Sequence, residues 1–308
     1  MERYLEKHQS MSLVAKKLRA KRPHVKDTTL IAYLNHFRMA ETAHPIAHVD
    51  KVQQEIEKIY KPTTQKNAYN SISVVMDALG EPELSARYGA LRDEAHSKYE
   101  AQAKSHKKSP AQEKNWVSMA EIDSLLKTLS DEAKKIYKRE QVSNKDFMTL
   151  QQRLLLKIYR EFPLRNDVAH MRIITPHKYK TADKKENYLV GTPAKGYAIH
   201  LNSYKTDGTF GAKVIQLTQE LNGDVRKWLK FNTTGFLFVN ALREPISANG
   251  ITKLFTRLFQ QRLGKNVSTS MIRHIYLSDK YKDDLEEKTE DSYNMGHSLA
   301  MQKDYIKF

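Results

Sequence analysis

Apolar residues recur at helical spacing through the first hundred positions of the chain. In DTTLIAYLNHFRMAE, Leu30, Tyr33, Leu34 and Phe37 fall on one face of a 3.6-residue period, with Asp27 expected as the cap. VDKVQQEIEKIY repeats the pattern with Val49, Val52, Ile56 and Ile59. Pro62 opens a third segment that Gly80 closes, and a fourth follows Pro82. The pattern predicts a small all-helical bundle. It breaks at AQAKSHKKSPAQEK, residues 101–114, where four lysines and a proline stand among almost nothing apolar. That composition reads as a linker, or as a frayed helix end bearing a solvated charge run. The expected division is a helical unit over 1–104, a basic linker over 105–114 and a second domain over 115–308.

The second domain opens on WVSMAEIDSLLKTLS, where Ser118 and Glu121 have capping-box spacing. DFMTLQQRLLLKIYREF predicts a strong helix ending at Pro163. Short alternating runs follow (MRIIT, NYLVG, YAIHL and KVIQL), the pattern of a small antiparallel sheet. LNSYKTDGTFGAKVIQL reads as a hairpin with a long, glycine-containing turn. LTQELNGDVRKWLKF, NGITKLFTRLFQQRLG and STSMIRHIYLSDKY return to helical periodicity. The expected fold class is mainly α with a small antiparallel β-sheet, an α+β domain following the helical one.

Composition narrows the chemistry. The 308 residues include no cysteine, which removes disulfides, cysteine nucleophiles and cysteine-ligated zinc, and fits an intracellular location. The N-terminal MERYLEKHQS has no apolar core of a signal peptide, and no apolar run approaches the ~20 residues of a membrane span. Net charge is +16, from 52 Lys and Arg against 36 Asp and Glu. An excess of that size speaks of partners, and phosphate contacts make nucleic acid the leading one. The linker lysines Lys104, Lys107 and Lys108 and the hairpin's Lys213 are the expected backbone contacts.

Several motifs are missing or misleading. GxGxxG, GxxxxGK[ST] and HExxH do not occur, and GTPAKG at 191–196 lacks phosphate-loop spacing. HPIAH places His44 and His48 four apart, but Pro45 between them favours a surface loop. DDLEEKTED at 283–291 carries interspersed lysine and reads as a solvated helical face. No metal site is expected. The remaining candidates are dispersed. Arg165 follows a long helix and a proline. Lys205 lies toward the tip of the predicted hairpin. Arg273 sits on a helix among Met271, Ile272, Ile275 and Leu277. MGHS carries His297, and Tyr305 follows eight residues later. Taken alone, the last stretch is also a short amphipathic helix with Leu299 and Ile306 inward.

The order Arg165, Lys205, SMIRH, GHS, Tyr305 resembles the catalytic domain of the tyrosine recombinases, and the helical unit resembles their core-binding domain. The resemblance implies that Arg165 and Arg273 clamp a DNA phosphate, that Lys205 is the general acid with Lys213 as runner-up, and that His297 assists at the phosphate. It makes Tyr305 the nucleophile of a covalent 3′-phosphotyrosyl step needing neither metal nor ATP. It further implies site-specific recombination or integration for a virus or other mobile element, on a tetramer with paired DNA sites. Two departures stand out. Ser270 occupies the position where the family usually has histidine, and serine is no base near neutral pH. Asp167 lies two residues after Arg165 where many members have an acid at three, as a possible orienter or helix cap. His274 adjoins Arg273, but one residue turns a helix by ~100°, so it does not simply replace the missing histidine. A type IB topoisomerase, and a DNA-binding protein with a decayed recombinase fold, remain the alternatives. Only Ile306, Lys307 and Phe308 follow Tyr305. The expectation is therefore coupling of subunits through another surface, or donation of the Tyr305 segment to a neighbour.

Overall fold

The computed structural model describes residues 1–104 and 108–284, without the side chains of residues 3, 5, 7, 63 and 101–104. The chain divides into two compact units, Met1–Lys108 and Ser109 onward. The first is helical throughout: α1 Glu2–Lys7, α2 Ser12–Lys21, α3 Asp27–Ala43, α4 Val49–Ile59, α5 Pro62–Leu79 and α6 Pro82–Lys104. Leu18 of α2, Leu30, Leu34 and Phe37 of α3, Val52 and Ile56 of α4 and Ile72 and Val75 of α5 are buried together. Each contributes about 1.5–3 kcal/mol by leaving water. Ile59, in the same predicted stripe, stays 48% exposed at the end of α4. Pro62 starts α5 and Gly80 ends it with φ 89°, a left-handed turn that suits a residue without Cβ. Asp27 is not the cap of α3. Lys26 holds that position, and Asp27 is the first helical residue, paired with Arg19 and with the chain's amino group. An acid there still complements the helix dipole. HPIAH forms the α3–α4 connection, with the buried Ile46 carbonyl accepting a hydrogen bond from Tyr88 at 2.8 Å.

α6 runs to Lys104, so the lysine-rich stretch begins on a helix. A further short helix, α7 Pro110–Asn115, starts within the expected linker. Its Ser109 and Gln112 form a reciprocal capping box, a local signal strong enough to order a mostly polar six-residue stretch.

The second unit continues with α8 Met119–Ile136, α9 Asn144–Glu161, β1 Arg172–Ile174, α10 Pro176–Tyr179, β2 Tyr188–Thr192 and β3 Gly196–Leu201. It closes with α11 Asp207–Phe210, β4 Lys213–Gln216, α12 Gln219–Leu229, α13 Ala248–Leu263 and α14 Thr269–Lys280. Capping boxes at Ser118 with Glu121 and Ser143 with Asp146 start α8 and α9. The fold is mainly α with one small sheet of order β1-β2-β3-β4. β2, β3 and β4 are antiparallel, with Leu189 opposite Ile199 and Ile199 opposite Ile215. β1 runs parallel to β2, with Ile173 beside Leu189, so the sheet is mixed. The cause lies in the connection. Residues 175–187 are long enough for the crossover that parallel neighbours require, whereas residue alternation carries no direction.

α9 is the centre of this unit. Leu154, Leu155, Ile158 and Tyr159 are buried among residues of α8, α12, α13 and α14. It also carries buried charge. Asp224 of α12 accepts from Arg153 at 2.9 Å and from Lys157 at 2.7 Å, and all three are almost out of solvent. Gln151 exchanges two hydrogen bonds with the Val239 backbone, at 2.9 and 2.8 Å, fixing the 236–246 segment to α9. Among the described residues no helix is long and apolar enough to cross a membrane.

Candidate functional site

The first candidate arginine is set by the end of α9. Fully buried Tyr159 donates its hydroxyl to the Arg165 carbonyl at 2.9 Å. Asn166 donates to the Ala248 carbonyl and the Thr252 hydroxyl, each at 2.8 Å, which ties the turn to the start of α13. Residues 166–168 form one 3-10 turn, closed underneath by buried Val168. The backbone around Arg165 is thus fastened on both sides while its side chain stays exposed.

The second arginine comes from α14. Ser268 caps that helix, accepting from the Met271 amide at 3.2 Å, and Ile272 and Ile275 bury its inner face. Arg273 lies half-buried between them. Leu277, expected on the apolar side, is 49% exposed. Ser270 lies one turn before Arg273, exposed, and its hydroxyl has no hydrogen bond among the described residues. His274, next along the helix, is exposed as well.

Arg165 and Arg273, 108 positions apart in sequence, both act electrostatically on Asp167. Burial pushes the Asp167 carboxyl above its ordinary value, opposed by the pull of both guanidiniums and aided by the nearby Asp207 carboxylate. Arg273 also lies close enough to Tyr159 to oppose the burial that raises that phenol. Asp167 makes no side-chain hydrogen bond among the described residues, so it acts on the arginines through its field alone. Neither guanidinium has a hydrogen bond or close ion pair among the described residues. Arg139, Arg153, Arg160, Arg172 and Arg262 of the same unit each pair with a carboxylate.

The Asp167 shift has a testable sign. A carboxyl whose folded value is raised costs stability above that value, and the cost disappears as pH falls below the unfolded value. Asp167→Asn is therefore expected to stabilise the protein at pH 7. The gain should shrink toward about pH 3.9, the ordinary Asp value. Urea midpoints at the two pH values measure this, and a gain that grows on acidification contradicts it.

Lys205 lies between β3 and α11. Its ammonium is exposed and makes no hydrogen bond among the described residues. The loop around it is well braced. The Tyr204 amide donates to Asp207 at 3.1 Å, and the Tyr204 hydroxyl donates to the Gly211 carbonyl at 2.7 Å. Gly211 has φ 66°, a conformation that favours glycine. Lys213, on the returning strand, lies over the Tyr204 and Phe210 rings at 5.0 and 4.8 Å. Its cation is thus held against the hairpin's own aromatics.

One residue not singled out in the sequence joins these parts. Asn187 donates to the Asp167 carbonyl at 3.0 Å and to the Ser203 carbonyl at 2.8 Å. Its own amide oxygen accepts from the Asn202 and Ser203 amides, both at 2.9 Å. The Arg165 turn and the approach to Lys205 therefore share one side chain. In sequence it is simply the polar residue before an apolar strand.

His297, Tyr305 and Lys107 lie outside the described residues, as do Leu299 and Ile306. Lys104 ends α6, and Lys108 precedes the Ser109 cap.

No protein-family model matches the chain, and no curated protein does. Among solved structures it is similar to the XerH site-specific recombinase bound to difH substrate in a pre-cleavage complex. The identity is 16% and the TM-score 0.36, over 96% of this chain and 92% of that one.

Proposed function

We propose that this protein is a site-specific DNA recombinase that cuts and rejoins strands through a covalent 3′-phosphotyrosyl intermediate. The observation that carries the reading is that Arg165 and Arg273, neither hydrogen-bonded to a carboxylate among the described residues, both lie within electrostatic reach of Asp167, and that Asn187 ties the Arg165 turn to the Lys205 loop. Attack on a phosphodiester builds negative charge on the non-bridging oxygens. Two guanidiniums with no hydrogen-bonded carboxylate among the described residues suit those oxygens, each able to bind bidentately. Fixed charge aimed at the developing anion is the largest catalytic contribution expected here.

In the proposed step the Tyr305 phenol loses its proton, to His297 or to water, and its oxygen bonds to phosphorus as the bond to the 5′-oxygen breaks. Lys205 gives the leaving oxygen its proton. His297 assists at the phosphate, and Ser270 can donate a hydrogen bond to a phosphate oxygen but takes up no proton. The phosphotyrosyl ester conserves the bond energy, so a 5′-hydroxyl of another strand reverses the step without ATP. Double-stranded DNA is the partner, with the excess of positive charge supplying affinity through phosphate contacts. Recombination between two duplexes calls for a tetramer on paired sites, as expected of an element that moves, viral or otherwise.

The test is a nicked duplex carrying a candidate attachment site, from which the cleaved 5′ fragment diffuses away. Wild-type protein should form a covalent adduct, stable to detergent and lost on proteolysis, at equal yield with and without EDTA. Cleavage abolished by the chelator would move the reading to a metal nuclease.

A further inference from the structure

We infer that Asn187 is a positioning residue for strand cleavage, setting the Lys205 proton donor in register with the Arg165 turn. The inference rests on the phosphotyrosyl reading above. A side-chain amide offers two donors and a carbonyl oxygen with two acceptor sites. Asn187 uses all four: the Asp167 and Ser203 carbonyls on one side, the Asn202 and Ser203 amides on the other. No aliphatic or hydroxyl side chain provides that set.

The connections explain why the position matters. Asp167 belongs to the 3-10 turn that begins immediately after Arg165. Ser203, held at both its amide and its carbonyl, lies two residues before Lys205. Asn202 is braced further, its side-chain Nδ2 donating to the Glu186 carbonyl at 2.8 Å and its Oδ1 accepting from the Tyr179 hydroxyl at 2.9 Å. Lys205 has no hydrogen bond of its own among the described residues. Its reach toward a leaving oxygen is therefore decided by where residues 202–204 are fixed. Losing the amide frees that segment from the Arg165 turn while both charged groups remain. A displacement of this kind slows chemistry far more than it weakens binding.

A leaving group that needs no proton separates this role from a merely structural one. The substrates are the same nicked duplex with either oxygen or sulfur at the 5′-bridging position of the scissile phosphate. Sulfur departs as a thiolate without general-acid help. On the oxygen substrate, Asn187→Ala should form adduct roughly 10–100-fold more slowly than wild type, within the range of general-acid effects. On the sulfur substrate it should come within about 3-fold of wild type, as should Lys205→Ala. DNA affinity should be unchanged.

Should Asn187→Ala fail to fold, Asn187→Asp gives the same readout. It keeps oxygen acceptors for the Asn202 and Ser203 amides and loses the two donated bonds. An equal defect on both substrates overturns the inference, because Asn187 then serves the fold alone. Sulfur failing to rescue Lys205→Ala overturns it too, since there is then no proton donor to position. Wild-type protein inert on both substrates fails differently: it removes the phosphotyrosyl reading, and this inference with it.

Discussion

Tyr305→Phe is expected to bind target duplex with wild-type affinity and to form no covalent adduct. Affinity for DNA comes mainly from phosphate contacts, which a single phenol oxygen barely alters. Removing a covalent nucleophile from an assembled site lowers rates by on the order of 10⁶, below detection in an adduct assay. The chain has no cysteine to take over. It does have a tyrosine beside the arginines. Tyr159 lies close to Arg273 and directly under Arg165, but its hydroxyl is committed to the Arg165 carbonyl and burial raises its proton affinity far above the ordinary phenol. It supports the site and cannot attack. Tyr276, one turn beyond Arg273, is the stronger competitor, so Tyr276→Phe belongs in the same gel and should retain the adduct. Adduct from Tyr305→Phe at the wild-type level, lost in Tyr276→Phe, would relocate the nucleophile to α14.

What could be read in the sequence follows the physics of each signal. Periodicity reports which face of an element is buried. It therefore found α3 to α6, α8, α9, α12 to α14 and all four strands, and missed the short helices α7, α10 and α11. Direction and partner are set by connections and tertiary packing, so the parallel β1–β2 pair was not legible in the residue pattern of MRIIT. Stripe ends are also weakly specified: Ile59 and Leu277 continue an apolar pattern yet stay half in water where their helices run out. Ser109 shows the converse, a local cap ordering a stretch whose composition reads as linker. Arg165 and Arg273 were read as motif positions, but nothing in the spacing says that both reach Asp167 electrostatically. Asn187 was invisible for a different reason. Its four partners are backbone groups, which leave no residue-type signature.

Carboxylate-paired and unpaired arginines both occur in the second unit, and Arg226 and Arg257, like Arg165 and Arg273, have no ion pair among the described residues. Arg139, Arg160 and Arg262 lie at the surface with carboxylate partners. Each such pair contributes little beyond about 1 kcal/mol. Arg165 and Arg273 have no such partner among the described residues, yet the backbone bearing them is anchored by Tyr159, Asn166, Asn187 and the buried face of α14. On the phosphotyrosyl reading proposed above, those two side chains are left for the DNA phosphate.

The scaffold under that site gives the second large effect. Asp224→Ala is expected to destabilise the second unit by about 3–5 kcal/mol, the cost of leaving buried charge without its partner. Both carboxylate oxygens are used, one by Arg153 and the other by Lys157, whose side chains are 11% and 6% exposed. Lys157 would keep Glu220, but that carboxylate is 80% exposed and compensates weakly. Glu220→Ala should therefore cost no more than about 1 kcal/mol, which makes it the internal control. Urea unfolding followed by tryptophan fluorescence suits the measurement, because Trp228 sits on α12 with the network. A loss below that of Glu220→Ala would mean that water reaches the cluster. Replacing Arg153, Lys157 and Asp224 together by apolar residues of similar volume should recover most of the stability, since the pairing chiefly offsets its own desolvation. The consequence extends to the chemistry. α9 carries this network on one side and ends in the Tyr159 that holds Arg165, so loosening the α9–α12 contact should lower cleavage before it lowers DNA binding.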